Sequence, residues 1–233
     1  TPSGQSVSVT LAAGQEVTCT FDNSEIPPEP AQLTVVKETD PDGGTGFGFT
    51  PSANLPGGGF SLNDDGSKVF DQLAAGTYSV SEDTPLPSGW QFDSVACVDD
   101  DTGGSVGTPS GQSVSVTLAA GQEVTCTFDN FKNARITVDK VTDPADDPTL
   151  FSFTPVGWNG GAGFQLADGT AAKDSGWALT PGPGPFSVTE TVPGGWTLTS
   201  AVCTSSLGGT VDYAGFDLAA GEQVDCVFND YRL

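Results

Sequence analysis

The chain has 233 residues, with 30 acidic side chains against 7 basic ones, no His and no Met. A net charge of -23 leaves no basic patch for nucleic acid or an anionic membrane surface, and the lack of His removes the commonest general base and transition-metal ligand. Abundant Gly, Pro, Thr, Ser, Val and Phe favour strands and turns over helices, and no apolar run is long enough to insert into a bilayer as a helix.

In chain order, the first segment is TPSGQSVSVTLAAGQEVTCTFDN at 1–23, which recurs without a change at 108–130. A second repetition is longer and looser. Residues 32–130 lie over 135–230, with LTVVKETDP over ITVDKVTDP, FGFTP over FSFTP, GGFSLNDDG over AGFQLADGT, and VTLAAGQEVTCTFDN over FDLAAGEQVDCVFND. The expected organisation is the C-terminal part of a preceding repeat at 1–23, a Pro-rich linker at 24–31, a complete repeat at 32–130, a short linker at 131–134 and a second complete repeat at 135–231. Pro27, Pro28 and Pro30 favour extended geometry and a semi-rigid spacer, so the array is expected to be elongated.

Within each repeat, SVSVTL, EVTCTF and TYSVSE alternate apolar with small polar residues, as strands buried on one face do. Gly-rich and Asp-rich turns such as NDDG, DDDTGG and LAAG separate them. Seven or so short strands per repeat predict an all-β chain of tandem antiparallel β-sandwiches.

There are 5 cysteines. The repeat register pairs Cys97 with Cys126 and Cys203 with Cys226, and makes Cys19 the counterpart of Cys126, its partner expected outside this segment, upstream of residue 1. Disulfides would place the chain in an oxidising, extracellular compartment, secreted or on a cell surface. Buried free thiols are the alternative. No two cysteines have metal-site spacing.

Strand parity places charged residues on inward faces. Lys37 shares a face with Leu33 and Val35, and Lys140 with Ile136 and Val138. Glu82 falls with Tyr78 and Val80, Glu190 with Phe186 and Val188, Asn130 with Cys126 and Phe128, and Asp230 with Cys226 and Phe228. Burying an amine and a carboxyl is costly unless they pair or neutralise. Desolvation favours a neutral amine beside a protonated carboxyl, which is the setting for an intramolecular isopeptide bond. Lysine would attack the side-chain carbonyl of Asn130, expelling ammonia, or of Asp230, expelling water, while Glu82 or Glu190 polarises that carbonyl. The other reading is a hydrogen-bonded cluster at the sandwich rim with the lysine head reaching water.

The K-x-T-D-P opening, the YSVSE…PSGW and FSVTETVPGGW boxes and the closing C-x-F-[DN]-[DN] resemble the prealbumin-like (Cna B-type, pilin SpaA-like) repeat domains of bacterial surface and pilus proteins. The resemblance covers almost the whole chain. It implies a transthyretin-like sandwich used as a stalk or fibre module, with Lys37, Glu82 and Asn130 as one isopeptide triad and Lys140, Glu190 and Asp230 as the next. Two features depart from the pattern. The paired cysteines resemble a branch in which a disulfide takes the place of the amide, and the turn after Glu82 is two residues longer than that after Glu190.

The resulting expectation is a structural module of an extracellular filament, pilus-like fibre or surface stalk, with copies of itself or neighbouring repeats as partners. An adhesin whose loops bind glycan or protein is the alternative, and no enzyme beyond single-turnover crosslinking is expected. No cofactor is expected either. The Asp-rich turns at 63–66, 99–104 and 143–148 offer carboxylates for calcium without its full ligand spacing. Trp158 and Trp177 lie outside the shared positions and are open to three readings: a sugar platform, an anchor between modules, or packing on the local sheet.

Overall fold

A computed structural model describes residues 2–3 and 6–233. Strands β1 (Pro2–Ser3) and β2 (Ser6–Val7) form a small antiparallel pair. Residues 8–30 follow, exposed to solvent and without strand.

The first unit comprises β3 (Ala31–Asp40), β4 (Phe47–Pro51), β5 (Phe60–Leu62), β6 (Ser67–Leu73), β7 (Gly76–Glu82), β8 (Trp90–Asp99), β9 (Ser105–Val106), β10 (Thr108–Ser110), β11 (Ser113–Leu118) and β12 (Glu123–Lys132). The second comprises β13 (Arg135–Asp143), β14 (Phe151–Val156), β15 (Phe164–Leu166), β16 (Lys173–Asp174), β17 (Gly182–Thr191), β18 (Trp196–Ser205), β19 (Thr210–Val211), β20 (Phe216–Leu218) and β21 (Gln223–Arg232). A 3-10 turn at Asn159–Gly161 follows β14. Strands outnumber the seven expected because edge pieces such as β9 and β19 are too short to leave an alternation in the sequence.

Each unit is a sandwich of two sheets. In the first, a sheet ordered β6-β3-β12-β8-β9 faces one ordered β10-β11-β7-β4-β5; in the second, β16-β13-β21-β18-β19 faces β15-β14-β17-β20. Leu33, Val35, Phe49, Phe70, Val80, Val116 and Phe128 fill the space between the first pair. The counterpart core holds Ile136, Val138, Phe153, Val188, Val224 and Phe228. Leu33, Val35, Val80, Val116 and Phe128, and Ile136, Val138, Val188, Val224 and Phe228, are inward positions that alternation assigned.

One pairing departs from an antiparallel sandwich. The first and last strands of each unit run parallel, β3 beside β12 and β13 beside β21. A parallel pair needs a long crossover, and here the rest of the unit serves as that crossover. Lys37 stands opposite Phe128, and Lys140 opposite Phe228. The closing strand is flanked on its other side by the cysteine-bearing strand, where Cys126 is directly opposite Cys97 and Cys226 opposite Cys203. Both pairs are disulfide-bonded. Cys19 is an exposed free cysteine.

The connector between units is shorter than FKNA, because Phe131 and Lys132 continue β12 by pairing with Gln91 and Trp90. Only Asn133 and Ala134 remain, and both are buried. The Asn133 N–H donates to the Gly89 carbonyl at 2.7 Å and its side-chain amide to the Trp177 carbonyl at 3.3 Å, while its Oδ1 accepts from Gln91 at 2.8 Å. The Lys132 ammonium lies 4.8 Å from the Trp177 ring. Trp177 is thus a contact between the units. Trp158 packs locally: it is buried, donates to the Ser187 carbonyl at 3.0 Å and tilts against Phe164. With no free face, Trp158 is no sugar platform.

Candidate crosslinking site

In the first unit, Lys37 is the fourth inward side chain of β3, Asn130 is two residues beyond its cross-strand neighbour on β12, and Glu82 ends β7 in the facing sheet. The fold therefore closes three strands around one point. Lys37 is fully buried. Its Nζ donates to the Glu38 carbonyl at 2.6 Å and the Phe128 carbonyl at 2.8 Å, with Glu82 Oε1 3.9 Å away. The Phe47 ring lies beneath it, centroid at 4.6 Å.

The second unit repeats this with one change. Lys140 Nζ donates to the carbonyls of Val141 and Phe228, both at 3.1 Å, and stands 3.4 Å from Glu190 Oε1 and 4.2 Å from the centre of the Phe151 ring. It also donates to Asp230 Oδ2, the counterpart of Asn130. The longer turn after Glu82 leaves both glutamates in reach of their lysines.

Electrostatics follow from burial. Desolvation lowers the Lys37 pKa against the pull of Glu82 and of Asp129, Asp64 and Glu38. Desolvation raises the Glu82 carboxyl, with Lys37 and Asn130 opposing. Glu190 is pushed up to about 7, first by desolvation, with Lys140 opposing and Asp230 adding to the rise. A raised carboxyl holds a proton, and a lowered amine gives one up.

The polar groups here are poorly satisfied. The buried side-chain oxygens and nitrogens without a hydrogen-bond partner, among the described residues, are both carboxylate oxygens of Glu82 and of Glu190, both ends of the Asn130 amide, and Asp230 Oδ1. All belong to the two triads. Asn130 is near enough to Glu82 to favour its charged form, yet no hydrogen bond of ordinary geometry joins them. Unpaired buried polar groups cost about 1–3 kcal/mol each.

The aromatic floor under each lysine was not singled out in the sequence. Its signal was there: Phe47 and Phe151 open the aligned FGFTP and FSFTP boxes, on the inward face. The backbone carbonyls that grip Nζ leave no sequence signal.

The Asp-rich turns use their carboxylates internally. Glu38, Asp64 and Asp65 bring carboxylate oxygens within 4.8 Å of one another. However, Asp64 accepts from the Thr39 N–H and the Gly43 N–H, both at 2.7 Å. Asp168 holds the matching loop through the Thr142 and Asp146 N–H groups. Asp99 accepts from Thr102 and Gln122, and Asp147 from Thr149 and Arg232.

The sequence profile of the prealbumin-like fold domain matches residues 33–132 and again 136–232, and a second profile of the same description matches residues 1–25. The chain belongs to the prealbumin-like fold domain family. No curated protein sequence matches it. Several solved structures are similar to the tandem prealbumin-like units at low identity. The major pilin protein (T-13) of Streptococcus pyogenes is 15% identical over 89% of this chain and 98% of its own, with a TM-score of 0.37. The Bacillus anthracis TIE protein is 15% identical over 88% of this chain and 34% of its own, with a TM-score of 0.37. An adhesin of Mobiluncus mulieris, described as containing intramolecular disulfide, isopeptide and ester crosslinks, is 19% identical over 42% of this chain and 40% of its own, with a TM-score of 0.34.

Proposed function

We propose that this chain is a crosslinked structural segment of an extracellular fibre or surface stalk, in which each prealbumin-like unit closes one intramolecular amide bond. The supporting observation is that, among the described residues, the buried side-chain atoms without a hydrogen-bond partner are confined to two Lys–Glu–Asn/Asp triads. A buried amide with both ends unpaired is expensive, and condensation with lysine removes it. In the first unit, the neutral Lys37 amine adds to the Asn130 side-chain carbonyl carbon while protonated Glu82 donates to its oxygen. The carbon–nitrogen bond to the Asn130 Nδ2 then breaks, releasing ammonia. In the second, Lys140 joins Asp230 and water leaves. Each reaction occurs once, so it is maturation of the protein and not turnover of a substrate.

The buried disulfides fit an oxidising compartment. Among the described residues no helix is long and apolar enough to cross a membrane. The test is intact mass under reducing conditions. The native chain is expected to be lighter than its sequence by one ammonia and one water, with the ammonia loss abolished by Lys37→Met and the water loss by Lys140→Met. A native mass equal to that of the sequence would overturn the crosslink.

A further inference from the structure

Beside each acyl residue the sheet ladder is broken. In the first unit Asp129 faces Ser94 and Asn130 faces Phe92, so Asp93 is an extra residue on β8 with no partner on β12. The second unit repeats the bulge, with Asn229 opposite Ser200, Asp230 opposite Leu198, and Thr199 left over. A bulge interrupts the ladder and re-aims side chains, and at each one a cleft opens, of about 330 Å³ in the first unit and about 280 Å³ in the second. Asn130 lines one cleft and Asp230 the other. Both residues are 2% exposed, and neither end of the Asn130 amide has a hydrogen-bond partner.

The clefts match in backbone and differ in charge. Glu38, Asp93 and Asp129 line the first, whereas Val141, Thr199 and Asn229 stand at the same positions of the second. Three carboxylates thus accompany the amide and are missing beside the acid. Their field does not help the attack. Desolvation lowers the Lys37 pKa, and after Glu82 it is Asp129, Asp64 and Glu38 that pull it back up. The same field favours any later step that places positive charge on the cleft side.

We infer that the first cleft is the departure side of the leaving group, and that Glu38 and Asp129 stabilise the cation formed on Asn130 Nδ2 as ammonia is expelled. This rests on the crosslink reading and adds two residues to it. Once the Lys37 nitrogen has added, Glu82 carries a proton from that nitrogen to Nδ2, which becomes a positively charged leaving group. The carbon–Nδ2 bond breaks with its electron pair staying on nitrogen. The hydroxyl proton of the adduct returns to Glu82 as the carbonyl re-forms, and ammonia enters the cleft. There it takes a proton from water and departs as ammonium. Carboxylates fixed near charge that develops in the transition state lower the barrier. Water, the leaving group of the second unit, is too weak a base to depart as a cation, which fits the neutral Val141, Thr199 and Asn229 at its cleft.

The test is the rate of ammonia loss, followed by intact mass at intervals after refolding, in the full chain carrying Glu38→Gln and Asp129→Asn. Water loss from the second unit of the same molecules is the internal reference. The two effects of these acids predict opposite signs. Ammonia loss about tenfold or more slower than native, with water loss unchanged, is the expected result. Ammonia loss as fast as native, or faster because Lys37 is freed of their pull, would overturn the inference while leaving the amide in place. Absence of ammonia loss from the native chain would overturn the crosslink reading together with it. If the variant refolds poorly, the reverse exchange decides. In chains carrying Lys37→Met and Asp230→Asn, where only the second unit can close, adding Val141→Glu and Asn229→Asp should speed ammonia loss, and no gain would sink the inference.

Discussion

The two triads share one scaffold and differ in their acyl partner. In both, the lysine lies over a phenylalanine, gripped by two backbone carbonyls, with a glutamate from the facing sheet. In the first unit the acyl group is a neutral amide with no hydrogen-bond partner. In the second it is a carboxyl group bonded to the lysine, with another carboxyl 3.4 Å from the amine. Backbone register sets the geometry, while the residue at one position of the closing strand sets the charge. In the first unit desolvation lowers the Lys37 pKa beside a neutral amide, whereas in the second Lys140 donates to the Asp230 carboxyl.

The largest expected effect comes from opening the amides. Glu82→Gln and Glu190→Gln should each restore the mass of one leaving group. Each proposed amide would close a loop of about 90 residues, so its loss should destabilise the unit by about 4–5 kcal/mol in the chain-entropy model, read by denaturant unfolding. Equal mass loss in variant and native protein would show that the glutamates are not needed. The disulfides come next. With the amides open, reduction should cost each unit about 3 kcal/mol, given cysteine separations of 29 and 23 residues. With the amides closed the cost should be smaller, since both disulfides lie inside the amide loops and the unfolded chain is already constrained. Equal costs in the two backgrounds would argue that no outer loop exists.

Much of this comparison was legible before the fold was known. Alternation places Lys37 with Leu33 and Val35, and Glu82 with Tyr78 and Val80, because a strand with one buried face has a period of two. The repeat then shows that the arrangement occurs twice. Alternation does not reveal which strands lie side by side. The parallel pairing of β3 with β12 is a long-range property, and it is what brings Lys37 near Asn130. The Trp177 junction depends on a turn with no counterpart in the first unit.

Exchanging the acyl residues sharpens the comparison at lower cost to the fold. Asn130→Asp should convert the first unit to loss of water, and Asp230→Asn the second to loss of ammonia. The first substitution should slow closure near neutral pH, because a carboxylate beside Lys37 opposes the desolvation that lowers its pKa. Time-resolved intact mass after refolding reads both. Unchanged rates would mean that the charge of the acyl partner does not govern the amine.

The smallest effect expected is a dependence on pH, and its sign follows from Glu190. Its carboxyl rises from an ordinary 4.5 to about 7 in the folded unit. A raised acid binds its proton more tightly folded than unfolded. The associated stability is therefore complete below about 4.5 and is lost as pH climbs through about 7. Before the amide closes, the second unit should melt at a lower temperature on the alkaline side of that window than on the acid side. Closure needs the same proton, because protonated Glu190 must donate to the acyl oxygen as the lysine adds. The rate of water loss should accordingly fall as pH rises through about 7. A rate that instead keeps climbing above that value would remove Glu190 from its role as proton donor.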